Sequence, residues 1–364
     1  MIFKDMAYKS RSIVLMTASI FLAVVSFLSC TPQDEYIVIT GYAQGGTYAV
    51  KLNLNGKDGR VRPSAEEIRD SIDSKLLQID RSLSGYNKNS ILSRLNAGEK
   101  VVPDELFKDM YRYSCKLYDQ TEGVVDVASA PLFDIWGFGF SKGELPSESA
   151  VESARKISGM ARLAKEPDNV LDEAGFLSSA ALALDGGAGP ELNFNAVAQG
   201  YSCDVIADYL YSIGVKDMLV DIGEFFCDGL NPSGKPWTIG IDRPVDGNND
   251  IGADLQGIFR APSGPHGIVT SGNYRKFYVR DGKKYAHTID PRTGYPVDHS
   301  LLSATVVAVD AVTADAYATW CMVVGLDEAK DFLAGTDGFE GCLIYDDNGE
   351  MKTWCSPGFV LEQL

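Results

Sequence analysis

The sequence has little positive charge, few histidines and no Cys-x-x-Cys pair. Its 364 residues carry 33 lysines and arginines against 50 aspartates and glutamates, giving a formal net charge of -17 with only 3 histidines. Phosphate backbones would repel such an acidic chain, which excludes nucleic acid as a partner. The lack of a Cys-x-x-Cys pair argues against a structural zinc site. Because 45% of the residues are apolar, the chain can build a large core, and a disordered protein is excluded.

No apolar run near the N-terminus is long enough for an ordinary membrane span. The uncharged run Ile13–Leu28 follows a basic region and is typical of a secretory signal. It ends at Cys30 and then turns polar, as in a bacterial lipoprotein. We therefore expect a signal peptide at 1–29, an acylated Cys30 opening a tether at 30–36, and a folded domain at 37–364. Lipid chains would then hold the domain at a membrane of the cell envelope, outside the cytoplasm. An ordinary signal peptide with an incidental cysteine is the alternative.

The remaining cysteines leave their pairing open. They are Cys115, Cys203, Cys227, Cys321, Cys342 and Cys355. An exported protein can form disulfides. Two of the six, Cys203 and Cys321, fall in helix-like apolar stretches, where a buried free thiol is expected.

Helical and strand-like segments are mixed without regular alternation, which predicts an α+β fold and not a doubly wound sheet. Ser64 and Glu67 form a capping box ahead of an apolar stripe of helical spacing. The predicted helices are 64–83, 103–121, 147–157, 198–213 and 313–324. The predicted strands are 218–222, 237–241, 267–270, 303–309 and 342–345. The stretch 243–257, rich in proline, glycine, asparagine and aspartate, is predicted to be a surface loop.

Three segments have the chemistry to approach a flat or anionic ligand. Tyr86 lies beside a glycine in a loop and could stack on a planar ring. Residues 124–132 lead to Trp136 among glycines, which allow close backbone approach. Residues 193–201 open a helix whose free N–H groups suit a phosphate. Each segment also has a plain structural interpretation: a turn, a packed aromatic corner, and a helix start capped by Asn195.

A fourth region, residues 270–319, has the chemistry of a metal site and a base. Asp315 and Thr319 are one helical turn apart, so their oxygens share one face of a helix. Such oxygen donors suit a hard cation such as Mg²⁺. His287 opens a proline–glycine turn that fixes its position. A solvated or capped helix start is the alternative for the Asp315 and Thr319 pair.

In order and spacing, these segments resemble the FAD:protein FMN transferase family, the ApbE-type flavin transferases. The most specific pieces are Thr270-Ser271-Gly272, residues 287–296 and residues 315–319, and the similarity covers about residues 40–355. The resemblance implies a T-shaped α+β fold of two intertwined subdomains, with mixed or antiparallel sheets and flanking helices. It also implies an Mg²⁺-dependent enzyme. Such an enzyme moves the FMN half of FAD to a threonine or serine hydroxyl of an exported flavoprotein and releases AMP.

The resemblance further implies roles for individual residues. FAD would contact Tyr86, Val124, Val125, Asp126, Asn193, Gln199 and Ile289. Mg²⁺ would be held by Asp315, Thr319 and the backbone carbonyls of Ala196 and Ala318. His287 would be the candidate base that accepts the proton of the attacking hydroxyl. Since the net charge cannot attract FAD, Mg²⁺ and the neighbourhood of Arg292 would have to do so locally.

Three positions depart from the family pattern. Gln199 stands where lysine is usual, Asn193 where aspartate is usual, and Gly45-Gly46-Thr47 where Met-Gly-Thr is usual. Amides still form hydrogen bonds but carry no charge. Two other functions would use the same site. One is an Mg²⁺-dependent FAD pyrophosphatase that releases FMN and AMP, and the other is a non-catalytic FAD-binding lipoprotein.

Overall fold

The structure, a computed structural model, describes residues 35–139, 145–187, 189, 191–248, 250, 252–275, 277–280 and 282–364. The predicted signal peptide (1–29) and the predicted acylation site Cys30 lie outside the described residues. Within the described part of the chain, no helix combines the length and apolar character that a membrane crossing requires.

Helices and strands occur in blocks along the chain. The helices are α1 Ala65–Leu83, α2 Ile91–Asn96, α3 Glu105–Gln120, α4 Ala130–Ile135, α5 Glu148–Ile157, α6 Ser179–Leu182, α7 Ala198–Ser212, α8 Ala311–Val324 and α9 Leu326–Gly335. The strands are β1 Tyr36–Ala43, β2 Gly46–Asn53, β3 Asn55–Gly56, β4 Gly59–Arg60, β5 Met218–Asp221, β6 Phe225–Asp228, β7 Thr238–Asp242, β8 Leu255–Arg260, β9 His266–Gly272, β10 Phe277–Arg280, β11 Lys283–Ala286, β12 Ile289–Asp290, β13 Tyr295–Pro296, β14 Leu301–Ala308, β15 Glu340–Asp347, β16 Glu350–Cys355 and β17 Leu361–Glu362.

One large sheet organises the fold. Its eight strands run in the order β1-β2-β5-β6-β9-β14-β15-β16, and each neighbouring pair is antiparallel. A second sheet has the order β17-β8-β7 and is also antiparallel. These features confirm the predicted α+β class, and they make the sheets antiparallel throughout the described pairings.

Apolar side chains hold the layers together. On one face of the large sheet, Val269, Ala304 and Val306 pack with residues of α8. On the opposite face, Ile268 and Ile344 pack with the three-stranded sheet. The antiparallel alternation of side chains between the two faces explains how one sheet supports both cores.

The predicted helices are confirmed, with shifts at their starts. Ser64 and Ser147 cap α1 and α5 as expected, and the capping box with Glu67 is present. α3 starts later than predicted because Asp104 caps it. α8 starts at Ala311, two residues earlier than predicted. The side chain of Asp310 accepts a hydrogen bond from the Thr313 N–H and so caps the helix. Helix caps thus fixed these boundaries.

The predicted strands are present, but several others were missed. β14, β15 and β9 each extend beyond the predicted segment. The predicted loop 243–257 is wrong at its end, since β8 already begins at Leu255. β1 and β2 form a hairpin that was not predicted, with Gln44 and Gly45 at its turn. Both turn residues have positive φ (52° and 83°), the backbone of a two-residue hairpin turn.

Helix α8 is buried on nearly all sides. Apart from Asp315, its sequence from Ala311 to Val324 contains no charged residue. It packs against β9, β14 and α7. A helix that is apolar all round belongs in a core, so a single carboxylate within it requires partners that offset its burial.

Candidate active site at the joint of α7 and α8

Asp315 lies five residues into α8 and is 5% exposed. Its Oδ2 accepts a hydrogen bond of 3.0 Å from the backbone N–H of Gly200. Burial is the main reason that the pKa of Asp315 rises to about 8, and the Gly200 hydrogen bond opposes that rise. The carboxylate therefore sits where the first turn of α7 meets α8, and its burial favours either a proton or a cation beside it.

Gly200 makes this close approach possible. A Cβ atom at position 200 would lie 2.3 Å from the carbonyl oxygen of Ala311 and 2.8 Å from the Cβ of Asp315. The first N–H groups of a helix lack intrahelical partners, and α7 gives one of them to Asp315. Asp204, one turn further along α7, accepts 2.8 Å hydrogen bonds from the N–H groups of Ala311 and Val312. These hydrogen bonds join the N-terminal part of α7 to the N-terminal part of α8.

Thr319 lies one turn after Asp315 on the same helix, as predicted. Its Oγ1 is 3.5 Å from the hydroxyl of Ser271 on β9. Thr270, the preceding residue, points to the opposite sheet face and shares a 2.8 Å hydrogen bond with Thr305 of β14. The Thr270-Ser271-Gly272 segment therefore has one hydroxyl directed at α8 beside Thr319.

Glu224 was not predicted as a site residue. It precedes β6, and the thiol of Cys203 in α7 donates to its backbone carbonyl at 3.1 Å. Burial, and secondly the charge of Asp315, raise the pKa of Glu224 well above its usual range, while the Thr270 N–H donates to it and opposes this. Two interacting carboxylates, the buried Asp315 and the partly buried Glu224, are therefore present at this joint. Glu224 comes from a strand end that carried no sequence signal.

The donors at this joint fit a hard cation. No cluster of three or more histidine, cysteine, aspartate or glutamate side chains forms anywhere among the described residues. A cation here would need hydroxyl and carbonyl oxygens beside the carboxylate, which is the donor set Mg²⁺ accepts. Ala196 lies two residues before α7, and Ala318 is fully buried in α8 next to Thr319. The predicted ligand set thus comes from the two helix segments that meet here, and its coordination geometry stays a prediction.

All the predicted FAD residues except Ile289 lie on three segments: the loop of Tyr86, residues 124–126 and residues 193–199. Tyr86 is 69% exposed, and its hydroxyl is 3.5 Å from the side-chain amide of Asn195, just ahead of α7. The Asn193 N–H donates to the carbonyl of Val127 at 2.7 Å, which joins the segment before α7 to residues 124–127. The Asn193 side chain accepts from the Asn195 N–H at 2.9 Å, a local turn contact. Tyr86 thus offers an exposed ring near the start of α7.

Other predicted FAD residues have side chains engaged elsewhere. Val124 and Val125 are each 3% exposed and belong to the core beneath α8. Ile289 is 2% exposed and packs with Trp136. The Asp126 carboxylate accepts from the N–H groups of Ala128 (2.8 Å) and Met160 (3.1 Å). FAD contacts at the two valines and Ile289 would therefore have to use backbone atoms, and these assignments stay predictions.

His287 lies at a bend between β11 and β12. Its ring packs edge-on against Phe138, with 6.5 Å between centroids. Phe138 in turn stacks on Tyr278, and Tyr278 on Tyr285. β12, which follows His287, contacts α8. The histidine is therefore held in an aromatic group and is only partly buried.

Two polar residues near the predicted site are committed to local contacts. Gln199 Nε2 donates to the Ile222 carbonyl at 3.1 Å, so the amide ties α7 to the β5–β6 turn. The Arg292 guanidinium pairs with Asp290 at 3.0 Å. The Arg292 charge is thus paired with a carboxylate, and its role toward FAD stays a prediction.

A separate cavity of about 500 Å³ opens between α3, α7 and the start of α8. Asp109, Asp204, Asp208 and Asp310 line it together with tyrosines. It contains none of the predicted site residues. Carboxylates would repel the phosphates of a dinucleotide, so this cavity is not where FAD is expected to bind.

The sequence profile of the ApbE family matches residues 45–343. The chain belongs to the ApbE family.

ApbE relatives resemble this chain over nearly its whole length. The FAD:protein FMN transferase of Klebsiella pneumoniae is 33% identical over 90% of each chain. That of Escherichia coli K12 is 30% identical over 95% of each chain. The apo flavinyl transferase ApbE of Pseudomonas stutzeri has the same fold, with a TM-score of 0.73, 29% identity, and coverage of 90% of this chain and 96% of that one.

One departure from the ApbE sequence pattern has a structural explanation. Gly45-Gly46-Thr47, which stands where Met-Gly-Thr is usual, lies at the turn of the β1–β2 hairpin. The neighbouring Gln44 amide donates to the Ser202 hydroxyl of α7 at 2.5 Å. The hairpin tip therefore reaches the helix that carries Gly200 through a polar contact.

Asp126→Asn tests whether the Asp126 side chain is structural. Burial raises the pKa of Asp126 from 3.8 to about 6. The folded chain then holds this proton to higher pH than the unfolded chain, so stability falls as pH rises from about 4 to about 6. Asparagine keeps an oxygen acceptor for both N–H groups and does not titrate. Between pH 4.5 and pH 7, we expect the free energy of unfolding of the variant to rise by about 2 kcal/mol relative to that of wild type.

Urea unfolding of both chains at the two pH values measures this difference. Asp172→Asn is the control, because Asp172 is a solvent-exposed carboxylate whose pKa is lowered chiefly by a hydrogen bond from Lys100, so that variant should not gain stability. An Asp126→Asn gain that is equal at both pH values would contradict the titration argument. A ten-fold loss of FAD affinity would instead assign the side chain to FAD.

Proposed function

We propose that this chain is an Mg²⁺-dependent FAD:protein FMN transferase that joins FMN by a phosphoester bond to a threonine or serine of an exported flavoprotein and releases AMP. The observation that carries the proposal is the buried Asp315 carboxylate, which Gly200 at the start of α7 holds by a hydrogen bond. Thr319, one helical turn later, has its hydroxyl 3.5 Å from that of Ser271. The relatives that match most of the chain bear this enzyme's name.

The donor chemistry supports a cation at the joint. Asp315 is buried and Glu224 is partly buried, and the charge of Asp315 makes ionisation of Glu224 harder. A divalent cation would offset both charges, with Asp315, Thr319 and the carbonyls of Ala196 and Ala318 as its ligands. When bound, Mg²⁺ neutralises pyrophosphate oxygens and so eases attack at phosphorus.

The chain's own residues supply the other requirements. The start of α7 donates the Val197 and Ala198 N–H groups to the Phe194 carbonyl and the Gly200 N–H to Asp315, which fixes this turn beside the site. Tyr86 provides an exposed ring for stacking on flavin or adenine. As the acceptor's hydroxyl oxygen forms a bond to the FMN-side phosphorus, the bond to AMP breaks. An imidazole nitrogen of His287 accepts the hydroxyl proton.

One incubation separates the possible activities. The purified full-length chain is mixed with FAD, Mg²⁺ and a candidate acceptor flavoprotein, and the products are run on a denaturing gel and by chromatography. A flavin-fluorescent acceptor band with stoichiometric AMP supports the transferase. Free FMN and AMP without labelled acceptor would mean a pyrophosphatase, and intact FAD would mean a carrier.

His287→Ala is expected to slow transfer by about 10²-fold while FAD affinity stays within two-fold of wild type, because the ring acts on the acceptor's proton. Single-turnover transfer and FAD titration measure the two quantities. His299→Gln is the control, since His299 contacts the Met322 carbonyl at 3.0 Å in the last turn of α8, past Asp315 and Thr319. If His287→Ala lowered FAD affinity by as much as it lowered the transfer rate, His287 would be a binding residue.

Acylation of Cys30 is also part of the proposal. The uncharged run ending at Cys30 supports a lipid anchor that holds the domain at the outer side of a membrane. Cys30→Ser should move the protein from the membrane fraction to the soluble fraction of its host. Unchanged membrane association of this variant would contradict acylation as the anchor.

A further inference from the structure

Cys342 and Cys355 stand directly opposite each other on β15 and β16. The six cysteines of the described residues are free thiols in the structure. Cys342 is fully buried and Cys355 is partly buried, and the thiol of one hydrogen-bonds to the other. Both side chains pack in the core between the large sheet and the three-stranded sheet, on the face away from α8.

The register puts these two residues at the site where neighbouring strands come closest. The Ser356 N–H donates to the Gly341 carbonyl at 2.9 Å, so Gly341 and Ser356 form a hydrogen-bonded pair. Pairs alternate in an antiparallel ladder, which makes Cys342 and Cys355 a non-hydrogen-bonded pair with Cα atoms typically about 4.5 Å apart. This separation lies inside the range of roughly 4.4–6.8 Å that a disulfide spans.

Contacts around the pair hold that register. The Gly341 N–H donates to the Ser356 hydroxyl at 2.8 Å, and this hydroxyl also contacts Glu340. The Gly358 N–H donates to the same Glu340 carboxylate at 2.9 Å. Residues 356–358, which follow Cys355, are therefore hydrogen-bonded to Glu340 and Gly341. These contacts keep the two sulfurs close together when the edge strand β16 fluctuates.

We propose that Cys342 and Cys355 form a disulfide that fastens the edge strand of the large sheet when the protein meets a disulfide oxidant. Nothing in the register has to change for the bond to form. The linked segment, residues 342–355, leads into β17, so the bond would also restrain the crossing to the second sheet.

The chemistry balances with a small disulfide such as oxidised glutathione as the oxidant. The hydrogen bond from Cys342 lowers the pKa of the Cys355 thiol, so Cys355 ionises first. Its thiolate attacks a sulfur of the oxidant and expels one thiolate. The Cys342 sulfur then attacks Cys355 and expels the second. Two S–H bonds are lost, one S–S bond forms, two electrons reduce the oxidant, and its two thiolates take up the two protons.

Peptide mapping of the full chain is the direct test. The purified, reduced protein is incubated with oxidised glutathione, alkylated after unfolding, and digested without reduction. We expect a peptide pair joined through Cys342 and Cys355, with both thiols protected from alkylation. Full alkylation of both residues, a persistent glutathione adduct on Cys355, or linkage to a different cysteine would overturn the proposal.

Thermal unfolding gives an independent measure with matched variants. Oxidation should raise the apparent Tm of wild type by about 4 °C, because the bond restricts the unfolded chain. The increase should persist in Cys227→Ala, whose single thiol lies in the same core, and should vanish in Cys355→Ala. An increase that survives Cys355→Ala would contradict the assignment. If Cys355→Ala fails to fold, the peptide map of the wild-type chain still decides.

Discussion

Asp315→Ala is expected to reduce FMN transfer by about 10³-fold or more at saturating Mg²⁺. The substitution removes the one carboxylate in the buried helix α8 and the acceptor of the Gly200 N–H. A cation at the joint would then have only neutral oxygens beside Glu224. The loss should appear in kcat, measured by the rate at which acceptor becomes fluorescent under single-turnover conditions.

The carboxylate that caps the same helix from outside serves as the control. Asp310→Ala removes the side-chain cap of α8, which costs about 1 kcal/mol of stability, and it leaves Asp315 and Thr319 in place. We expect its transfer rate to stay within a few-fold of wild type. If Asp315→Ala were as active as Asp310→Ala, Asp315 would be removed from the site.

Gly200→Ala is expected to have the largest effect on stability. The added Cβ would lie 2.3 Å from the Ala311 carbonyl oxygen and 2.7 Å from its carbonyl carbon. These are backbone atoms at a helix start, so no side-chain rotation relieves the overlap. The helices must move apart, which we expect to cost about 3 kcal/mol or more and to lower the apparent Tm by about 5 °C or more.

The same change should weaken Mg²⁺-dependent transfer, because the Gly200 N–H moves away from Asp315. Gly335→Ala is the matched control, since no atom lies within 4 Å of a Cβ built there, in the last turn of α9. It should be neutral or stabilising by up to about 1 kcal/mol. Thermal unfolding of both variants measures the contrast, and an equal effect of the two changes would contradict a tight α7–α8 contact.

Local signals explain why much of the fold was predictable. Ser64 with Glu67, and Ser147, are caps whose effect depends only on the next few residues, so the starts of α1 and α5 could be predicted from sequence. The start of α8 was predicted two residues late. Asp310 is a typical capping residue and could have been recognised from the sequence. Asp204, which accepts a hydrogen bond from the Ala311 N–H, comes from α7, so the sequence around Ala311 does not indicate it.

The candidate site was predictable where its residues share one element. Asp315 and Thr319 follow from helical spacing alone. Glu224 does not, because it reaches the joint through the pairing of β6 with β5 and β9. Val124, Val125 and Ile289 were assigned to the FAD site by resemblance, and their side chains are buried. Their burial depends on long-range packing, which no local pattern encodes.

The hairpin β1–β2 was missed for a related reason. Its turn residues, Gln44 and Gly45, are less typical of a two-residue turn than Asn-Gly, although a glycine was present as a signal. Its edge strand alternates poorly between buried and exposed residues. Pairing with β5 within the large sheet determines its position.

The joint of α7 and α8 draws on residues that are far apart in the chain. Gly200, Glu224, Ser271 and Asp315 meet only after β9 has paired with β14 and α8 has docked behind them. A nascent chain that still lacks its last hundred residues has neither Asp315 nor Thr319. Flavin transfer at this joint therefore cannot begin before α8 has been synthesised and has docked against β9 and β14.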